Sequence, residues 1–250
     1  MNEIFAEKTQ AEKLADWLFN IKNAVILTGA GMSTESGLPD FRSNGGLWAG
    51  KDPMTIATPK AMEADFDTFV SFYQMRIIEN IKHKPHAGHE ILARWEEKGY
   101  VKRVLTQNVD GYHTAAGSKD VVELHGTLST VHCNSCGFVM PGHQYLLDDQ
   151  SYCQVCSGRN RPSIVLFEEN LNVKNVSAAN KLAKECKLFI VLGTSLKVYP
   201  AAGLPDIASR RGAKIVIVDR ETFNKGHLTI EGNIRDVLME VDIILKENYE

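Results

Sequence analysis

Short apolar runs alternate along the chain with segments whose apolar residues recur at helical spacing. The runs are four or five residues long and partly β-branched, which is typical of buried parallel strands. They predict strands at 24–27, 188–192 and 214–218, and further strands are predicted at 101–105 and 121–124. Helices are predicted after the capping pattern Thr9-x-x-Glu12 and at about 65–81. This alternation predicts an α/β fold built on a Rossmann-like, doubly wound parallel sheet.

Two inserts are expected to interrupt the predicted sheet. The Rossmann-like part is expected at about 1–127 and 162–250, a helical module at about 44–84, and a small module at about 128–161. The apolar segment 161–167 is predicted to re-enter the main sheet as a strand. After a helix that follows 232–234, a short last strand is predicted at 243–245.

The composition excludes binding that is driven by charge alone. The chain has 250 residues, 44% of them hydrophobic and 24% charged, with a net charge of −3. Nothing in this balance attracts nucleic acid or a membrane surface, so neither is predicted as a partner. Residues 1–8 lack a basic leader with an apolar core, and no apolar run reaches the ~20 residues of a membrane span. A cytoplasmic protein is therefore predicted.

A glycine-rich segment follows the first predicted strand and offers a nucleotide site. Gly29-Ala30-Gly31 lacks bulky side chains, so the backbone can approach a phosphate closely and point N–H groups at it. The third glycine of the common dehydrogenase fingerprint is replaced by Thr34. Because the continuation at 37–42 contains a proline and favours an extended chain, a long loop is predicted to fold over the ligand.

Four of the five cysteines form two close pairs. Cys133-x2-Cys136 and Cys153-x2-Cys156 are separated by 16 residues, which suits one tetrahedral zinc ion held by four thiolates. A closed set of four ligands indicates a structural site. A redox Cys-x-x-Cys is the alternative, and the pairing of two such motifs favours metal. Cys186 stands alone and is interpreted as a small buried hydrophobe.

The glycine segment resembles the cofactor loop of the sirtuins, the NAD-dependent protein lysine deacylases. The shared pattern is Gly-Ala-Gly-x-Ser…Ser-Gly-x-Pro-Asp-Phe-Arg, and the resemblance extends from about Val25 to Ile234. It implies NAD as co-substrate and one structural zinc ion. The implied NAD-binding residues of this first loop are Gly29, Ala30, Gly31, Ser33, Pro39, Asp40, Phe41 and Arg42.

Further motifs resemble the sirtuin active site. The segment Thr106-Gln107-Asn108-Val109-Asp110-Gly111 matches a family motif that faces ribose and nicotinamide. A lone histidine at a strand end is more often structural, but His125 occupies the place of the family's catalytic base. The resemblance implies catalytic roles for His125, Asn108 and Asp110. The implied NAD-binding residues outside the first loop are Gln107, Asn108, Asp110, Gly193, Thr194, Ser195, Asp219 and Ile234.

The predicted helix at 65–81 carries Tyr73 and Arg76, which share one face because they are three residues apart. Taken alone, this spacing favours a surface arginine beside a half-buried tyrosine. Sirtuins that remove succinyl or malonyl groups have a similar Tyr-x-x-Arg and an alanine equivalent to Ala57. The resemblance also implies that Val165 and Phe167 contact the substrate peptide. The chain departs from the family pattern by having Glu168 instead of glycine and Asp219 instead of asparagine.

The resemblance implies a reaction and its partners. Acylated lysine peptides or proteins would be the substrates, and acetyl and succinyl or malonyl groups would be removed. The implied products are nicotinamide, O-acyl-ADP-ribose and free lysine. A mono-ADP-ribosyltransferase and an NAD-sensing adaptor without turnover are the alternatives. The expected state in solution is a monomer or a weak oligomer.

Overall fold

The fold is centred on a six-stranded parallel sheet, and a three-stranded antiparallel sheet lies beside it. The computed structural model describes residues 8–40, 52–220 and 226–249. In chain order the strands of this part are β1 (Ala24–Thr28), β2 (Val101–Thr106), β3 (Val121–Glu123), β4 (Gly126–Cys133), β5 (Val139–Pro141), β6 (Asn160–Ile164), β7 (Leu188–Leu192), β8 (Lys214–Asp219) and β9 (Leu228–Glu231). The large sheet has the order β3-β2-β1-β7-β8-β9, which confirms the predicted fold class.

Helices cover both faces of the large sheet. In chain order they are α1 (Gln10–Ile21), α2 (Pro59–Ala64), α3 (Phe66–Lys82), α4 (Ala87–Glu97), α5 (Tyr112–Ala115), α6 (Val173–Glu185), α7 (Leu204–Arg210) and α8 (Ile234–Tyr249). One apolar core joins α1, α4 and α8 to the sheet, and a second joins α6 and α7 to its other face. None of the helices in the described ranges has both the length and the apolar character that crossing a membrane requires.

The start of α1 follows from local sequence. The Thr9 hydroxyl accepts from the Glu12 N–H at 3.1 Å, and the Glu12 carboxylate accepts from the Thr9 N–H at 2.7 Å. Two N–H groups that the helix itself cannot pair are thereby satisfied. Helical spacing then buries Leu14 and Leu18 against the sheet.

The segment 161–167 does not re-enter the large sheet, so that prediction is wrong. Its first part belongs to β6, which pairs antiparallel with β4 from Cys133↔Asn160 to Gly126↔Ile164. The buried residues of β6 include the polar Asn160 and Arg161, whose partners lie in and around the small sheet. An apolar run predicts burial, but the ladder partner decides which sheet receives the strand.

The predicted last strand at 243–245 is also wrong, because α8 continues as one helix to Tyr249. Leu238, Val241 and Leu245 are buried at spacings of three and four, whereas Ile243 is exposed. The apolar run 243–245 therefore includes residues from both the buried face and the outer face of α8. A strand of the large sheet would instead be buried on both sides.

Candidate active site

Two glycine-containing loops meet at the carboxyl ends of β1 and β7. After Gly29 the chain forms a 3-10 helix, Ala30–Ser36, which ends at Gly37 in the left-handed conformation with φ 95°. The Gly31 N–H donates to the Gly193 carbonyl at 2.9 Å. A Cβ on Gly31 would lie 2.7 Å from the Gly193 Cα, so the two loops can approach only without side chains. This close contact leaves a narrow backbone cradle at the edge where open α/β sheets bind nucleotides.

Ser33, Asn108 and Asp110 form one buried hydrogen-bonded group beside this cradle. The Ser33 hydroxyl donates to the Asp110 carboxylate at 2.8 Å. The Asn108 amide donates to Ser33 Oγ at 3.2 Å and to the Gly29 carbonyl at 3.0 Å. Asn108 Oδ1 is buried and has no partner among the described residues. A buried acceptor of this kind fits a ligand that supplies an N–H or O–H group, as NAD does.

Burial is the largest effect on the carboxyl group of Asp110 and raises its pKa above the ordinary value. The N–H of Tyr112, the Ser33 hydroxyl and the Arg76 guanidinium lower this pKa and offset part of the rise. The loop is also held from α3, because the Asn80 amide donates to the Asp110 carbonyl at 3.0 Å. The helical module thus fixes the backbone that presents Asp110.

His125 follows β3 and is oriented by a backbone carbonyl. Its Nδ1 lies 3.0 Å from the Gln107 carbonyl oxygen. Since a carbonyl can only accept, Nδ1 carries the proton and Nε2 keeps its lone pair in the neutral ring. Burial lowers the pKa of His125 below 6.5, and the Gln107 hydrogen bond opposes this shift. The imidazole is therefore neutral at pH 7, as a general base must be.

The Gln107 side chain connects this region to the second loop. Its amide donates to Thr194 Oγ1 at 2.9 Å, which joins the segment after β2 to the segment after β7. Ser195 follows in the same loop, and Asp219 ends the neighbouring strand β8. Ile234 begins α8 and is buried.

The remaining residues of the first loop lie near the edge of the described chain. Pro39 is exposed and Asp40 is half-buried. Phe41 and Arg42 lie outside the described residues, so their predicted contacts with NAD stay predictions. The 3-10 helix is also linked to the end of β8, because Arg220 forms an ion pair with Glu35 at 2.6 Å.

Two buried histidines behind the site were missed by sequence reasoning. His113 Nε2 lies 3.0 Å from the Thr28 hydroxyl, at the carboxyl end of β1. The His89 ring lies 4.9 Å from that of His113 and borders Ser33. Burial is the main cause that lowers the pKa of His89 to about 2 and that of His113 to about 3. Neither histidine directly follows a predicted strand, as His125 does. Only the tertiary packing brings them to the site.

Ala57, Tyr73 and Arg76 come together beside the small sheet. Tyr73 is fully buried rather than half-buried, in an apolar cluster that also contains Ala57. The Arg76 guanidinium lies 5.9 Å from the centre of the Tyr73 ring. Burial raises the pKa of Tyr73 to about 12, against the charge of Arg76. The predicted shared face of the helix is thus present, and it directs a cation toward the interior.

The segment 165–167 runs between His125 and Ala57. The Val165 N–H donates to the His125 carbonyl at 2.8 Å, and the Phe167 N–H donates to the Ala57 carbonyl at 2.9 Å. Phe167 is 43% exposed, so the segment presents an apolar side chain to solvent between His125 and Ala57.

The four paired cysteines converge at one end of the small sheet. Their Sγ atoms lie within 4.8 Å of one another. The separations are 3.5 Å for Cys133 and Cys156, and 3.7 Å for Cys136 and Cys153. Four sulfurs about 2.3 Å from a central zinc ion lie about 3.8 Å apart, so the set fits one tetrahedral zinc ion. Cys186 is buried elsewhere, directly after the end of α6, as predicted.

Removal of zinc with a chelator is expected to loosen the small sheet and to leave the large sheet folded. The reason is that the thiolates join the β4–β5 turn to the segment before β6, whereas the cores around β1 and β7 contain none of them. Hydrogen exchange should show lost amide protection in β4–β6 alone. Cys186→Ser is the control and should keep one zinc per chain. Equal loss of protection in both sheets would contradict the expectation.

Comparison with known proteins identifies the family. The model of the Sir2 family matches residues 29–200, more than half of the chain. The chain therefore belongs to the Sir2 family, and the resemblance to the sirtuins is confirmed.

Relatives and solved structures agree over most of the chain. It is 50% identical over 209 residues to an NAD-dependent protein deacetylase of Geobacillus kaustophilus, covering 83% of this chain and 86% of the relative. It is 48% identical over 209 residues to an NAD-dependent protein deacetylase of Oceanobacillus iheyensis, covering 83% and 88%. The crystal structure of a Sir2 homologue in complex with NAD matches with a TM-score of 0.88 and 32% identity, covering 94% of both chains.

Proposed function

We propose that this protein is an NAD-dependent protein lysine deacylase that removes acetyl groups, and also succinyl and malonyl groups, from lysine side chains. One arrangement supports this activity above all. A neutral histidine, whose Nε2 has no hydrogen bond within the described residues, lies on the same sheet edge as the buried group of Ser33, Asn108 and Asp110. Acylated proteins of the cytoplasm are the proposed substrates.

NAD is held by the residues of that edge. The cradle of Gly29, Gly31 and Gly193 receives its phosphates, and Asn108 and Asp110 orient its nicotinamide end. When bound, NAD supplies the ADP-ribose that accepts the acyl group. The division of the chain into a Rossmann-like part at about 1–127 and 162–250, a helical module at about 44–84 and a zinc module at about 128–161 is part of this proposal, with β6 in the small sheet.

His125 acts as the general base. Nδ1 is anchored on the Gln107 carbonyl, so Nε2 is presented to take a proton from a ribose hydroxyl. The burial that lowers the pKa of His125 keeps Nε2 unprotonated at pH 7. The overall reaction of acyl-lysine, NAD and one water molecule would then give nicotinamide, O-acyl-ADP-ribose and free lysine.

Tyr73 and Arg76 give the site its capacity for acidic acyl groups. The Arg76 guanidinium is the cation that we assign to the carboxylate of the acyl chain, and Tyr73 supplies a hydroxyl on the same helix face. Burial lowers the pKa of Arg76, but the tyrosine and Asp110 raise it. A carboxylate at the end of the acyl chain would be held by a charge-assisted hydrogen bond.

Replacing Arg76 with methionine is expected to lower kcat/KM for a succinyl-lysine peptide by about tenfold to a hundredfold, the worth of a hydrogen bond to a charged group. Turnover of the matching acetyl-lysine peptide should be largely kept, because an acetyl group has no carboxylate to lose. Lys82→Met removes an exposed cation from the same helix and is the matched control. Equal losses on both peptides would rule out the role proposed for Arg76.

The proposed activity is tested by measuring nicotinamide release from NAD with acetyl-lysine and succinyl-lysine peptides side by side. Release that depends on the peptide, together with formation of O-acyl-ADP-ribose, is the expected result. Label from NAD that stays on protein would show a mono-ADP-ribosyltransferase instead. NAD binding without any turnover would show a sensor.

A further inference from the structure

The chain enters the left-handed backbone region just after the segment 165–167. Glu168 has φ 71°, where the Cβ of any side chain is crowded and glycine is favoured. Its side chain is exposed, and no hydrogen bond or ion pair of its carboxylate is found within the described residues. A strained residue that contributes nothing to the core places a free negative charge beside Phe167.

Glu168 lines a cavity of about 680 Å³ whose lining also includes Leu124 and Gly126, the neighbours of His125 in the chain. Arg161 lines the cavity, but both of its terminal nitrogens donate to Glu169 at 2.7 Å, so this pair is neutral overall.

Glu123 is the remaining acid of the cavity. It accepts a hydrogen bond from Thr127, and burial raises its pKa. Since the cationic and anionic groups of the Arg161 pair cancel, the potential of the cavity mouth is negative and is dominated by the exposed Glu168.

The segment 165–167 connects His125 to Ala57, so a substrate lysine that extends toward His125 along this segment would run beside Val165 and Phe167. The residues next to that lysine in an extended peptide would then lie close to Glu168, one residue beyond Phe167. A positive side chain there would be attracted by Glu168, and a negative one would be repelled.

We propose that Glu168 is a specificity-determining residue that selects protein substrates with a lysine or arginine beside the acylated lysine. This inference rests on the deacylase activity proposed above. It gives Glu168 a function that explains why a charged residue occupies a backbone conformation that glycine would adopt more easily.

The test uses three acetyl-lysine peptides that differ only in the residues flanking the acetyl-lysine, which are arginine, glutamine or glutamate. For the wild-type protein, kcat/KM is expected to be about threefold to fivefold higher with arginine than with glutamine, the worth of one exposed ion pair. In Glu168→Gln this ratio should fall to about one, whatever the absolute rate. The wild-type ratio should also shrink at high salt.

Two further variants separate charge from conformation. Glu168→Gly relieves the strained backbone and should lose the preference for arginine as Glu168→Gln does. Glu240→Gln removes an equal charge from the exposed face of α8 and should keep the preference. A wild-type ratio of one, or a ratio that Glu168→Gln leaves unchanged, would overturn the inference.

A failure of the proposed activity would be recognised separately. If the wild-type protein turned over none of the three peptides, their affinities measured by titration would still decide the role of Glu168. An unchanged affinity order in Glu168→Gln would refute that role, and a lost preference for arginine would support it.

Discussion

His125→Ala is expected to lower kcat for an acetyl-lysine peptide by about 10²-fold to 10⁴-fold, the usual contribution of a general base. The substitution removes the imidazole ring, which the Gln107 carbonyl orients through Nδ1. The variant therefore has no general base at this position. Single-turnover formation of O-acyl-ADP-ribose measures the step directly. NAD binding should change much less than kcat, because the buried group of Asn108 and Asp110 remains.

Folding of the His125→Ala variant serves as the control. His125 is half-buried and its ring bonds only to a carbonyl in the described residues, so the variant should keep one zinc per chain and a nearly unchanged melting temperature. Near-normal turnover in a folded variant would remove His125 as the base.

The free energy of unfolding is expected to fall steeply as the pH drops below 6.5. His89 and His113 have folded-state pKa values of about 2 and about 3, whereas an unfolded histidine titrates near 6.5. Between these values only the unfolded chain binds the two protons, so stability is full above pH 6.5 and is lost as the pH falls. Each histidine costs about 1.4 kcal/mol per pH unit, or about 5 kcal/mol for both at pH 4.5.

Denaturant unfolding at a series of pH values measures this loss. His89→Gln and His113→Gln should each reduce the pH slope by about one proton, and comparison with the wild-type protein cancels protons taken up by the zinc ligands. The exposed His143 offers the matched control, His143→Gln, which should keep the wild-type slope. If His89→Gln or His113→Gln also kept the wild-type pH slope, the replaced histidine would not cause the loss of stability at low pH.

The parts of the fold that depend on local sequence were predictable. The Thr9 cap places α1, and the runs that form β1 and β7 are buried throughout because both faces of the sheet are covered. Burial on both faces leaves a signal that needs no knowledge of the partner strand.

The parts of the fold that depend on distant partners were not predictable from the sequence. The segment beginning at Arg161 is apolar enough for either sheet, and only its ladder with β4 decides between them. The run at 243–245 taken alone resembles a strand. Together with the buried Leu238 and Val241, however, its buried residues recur at helical spacing. Short apolar runs carry no information on which long-range contact they make.

The same distinction holds at the site. Cys133 and its three partner cysteines were predictable because ligand spacing is local, and the structure brings them together. The contact of Gly31 with Gly193 was not predictable, since it joins loops from opposite halves of the chain. The roles of Asn108, Asp110 and His125 came from resemblance, and stay proposals that the variants above can test.

The position of β1 next to β7 also determines when the protein can fold during its synthesis. The two strands are roughly 160 residues apart in sequence, and every residue of the small sheet lies between them. A ribosome adding about 5–20 residues per second needs on the order of ten seconds to supply β7 after β1 has emerged. Through that interval one apolar edge of β1 lacks its native neighbour, so the nascent chain is expected to depend on chaperone protection until its carboxyl-terminal half appears.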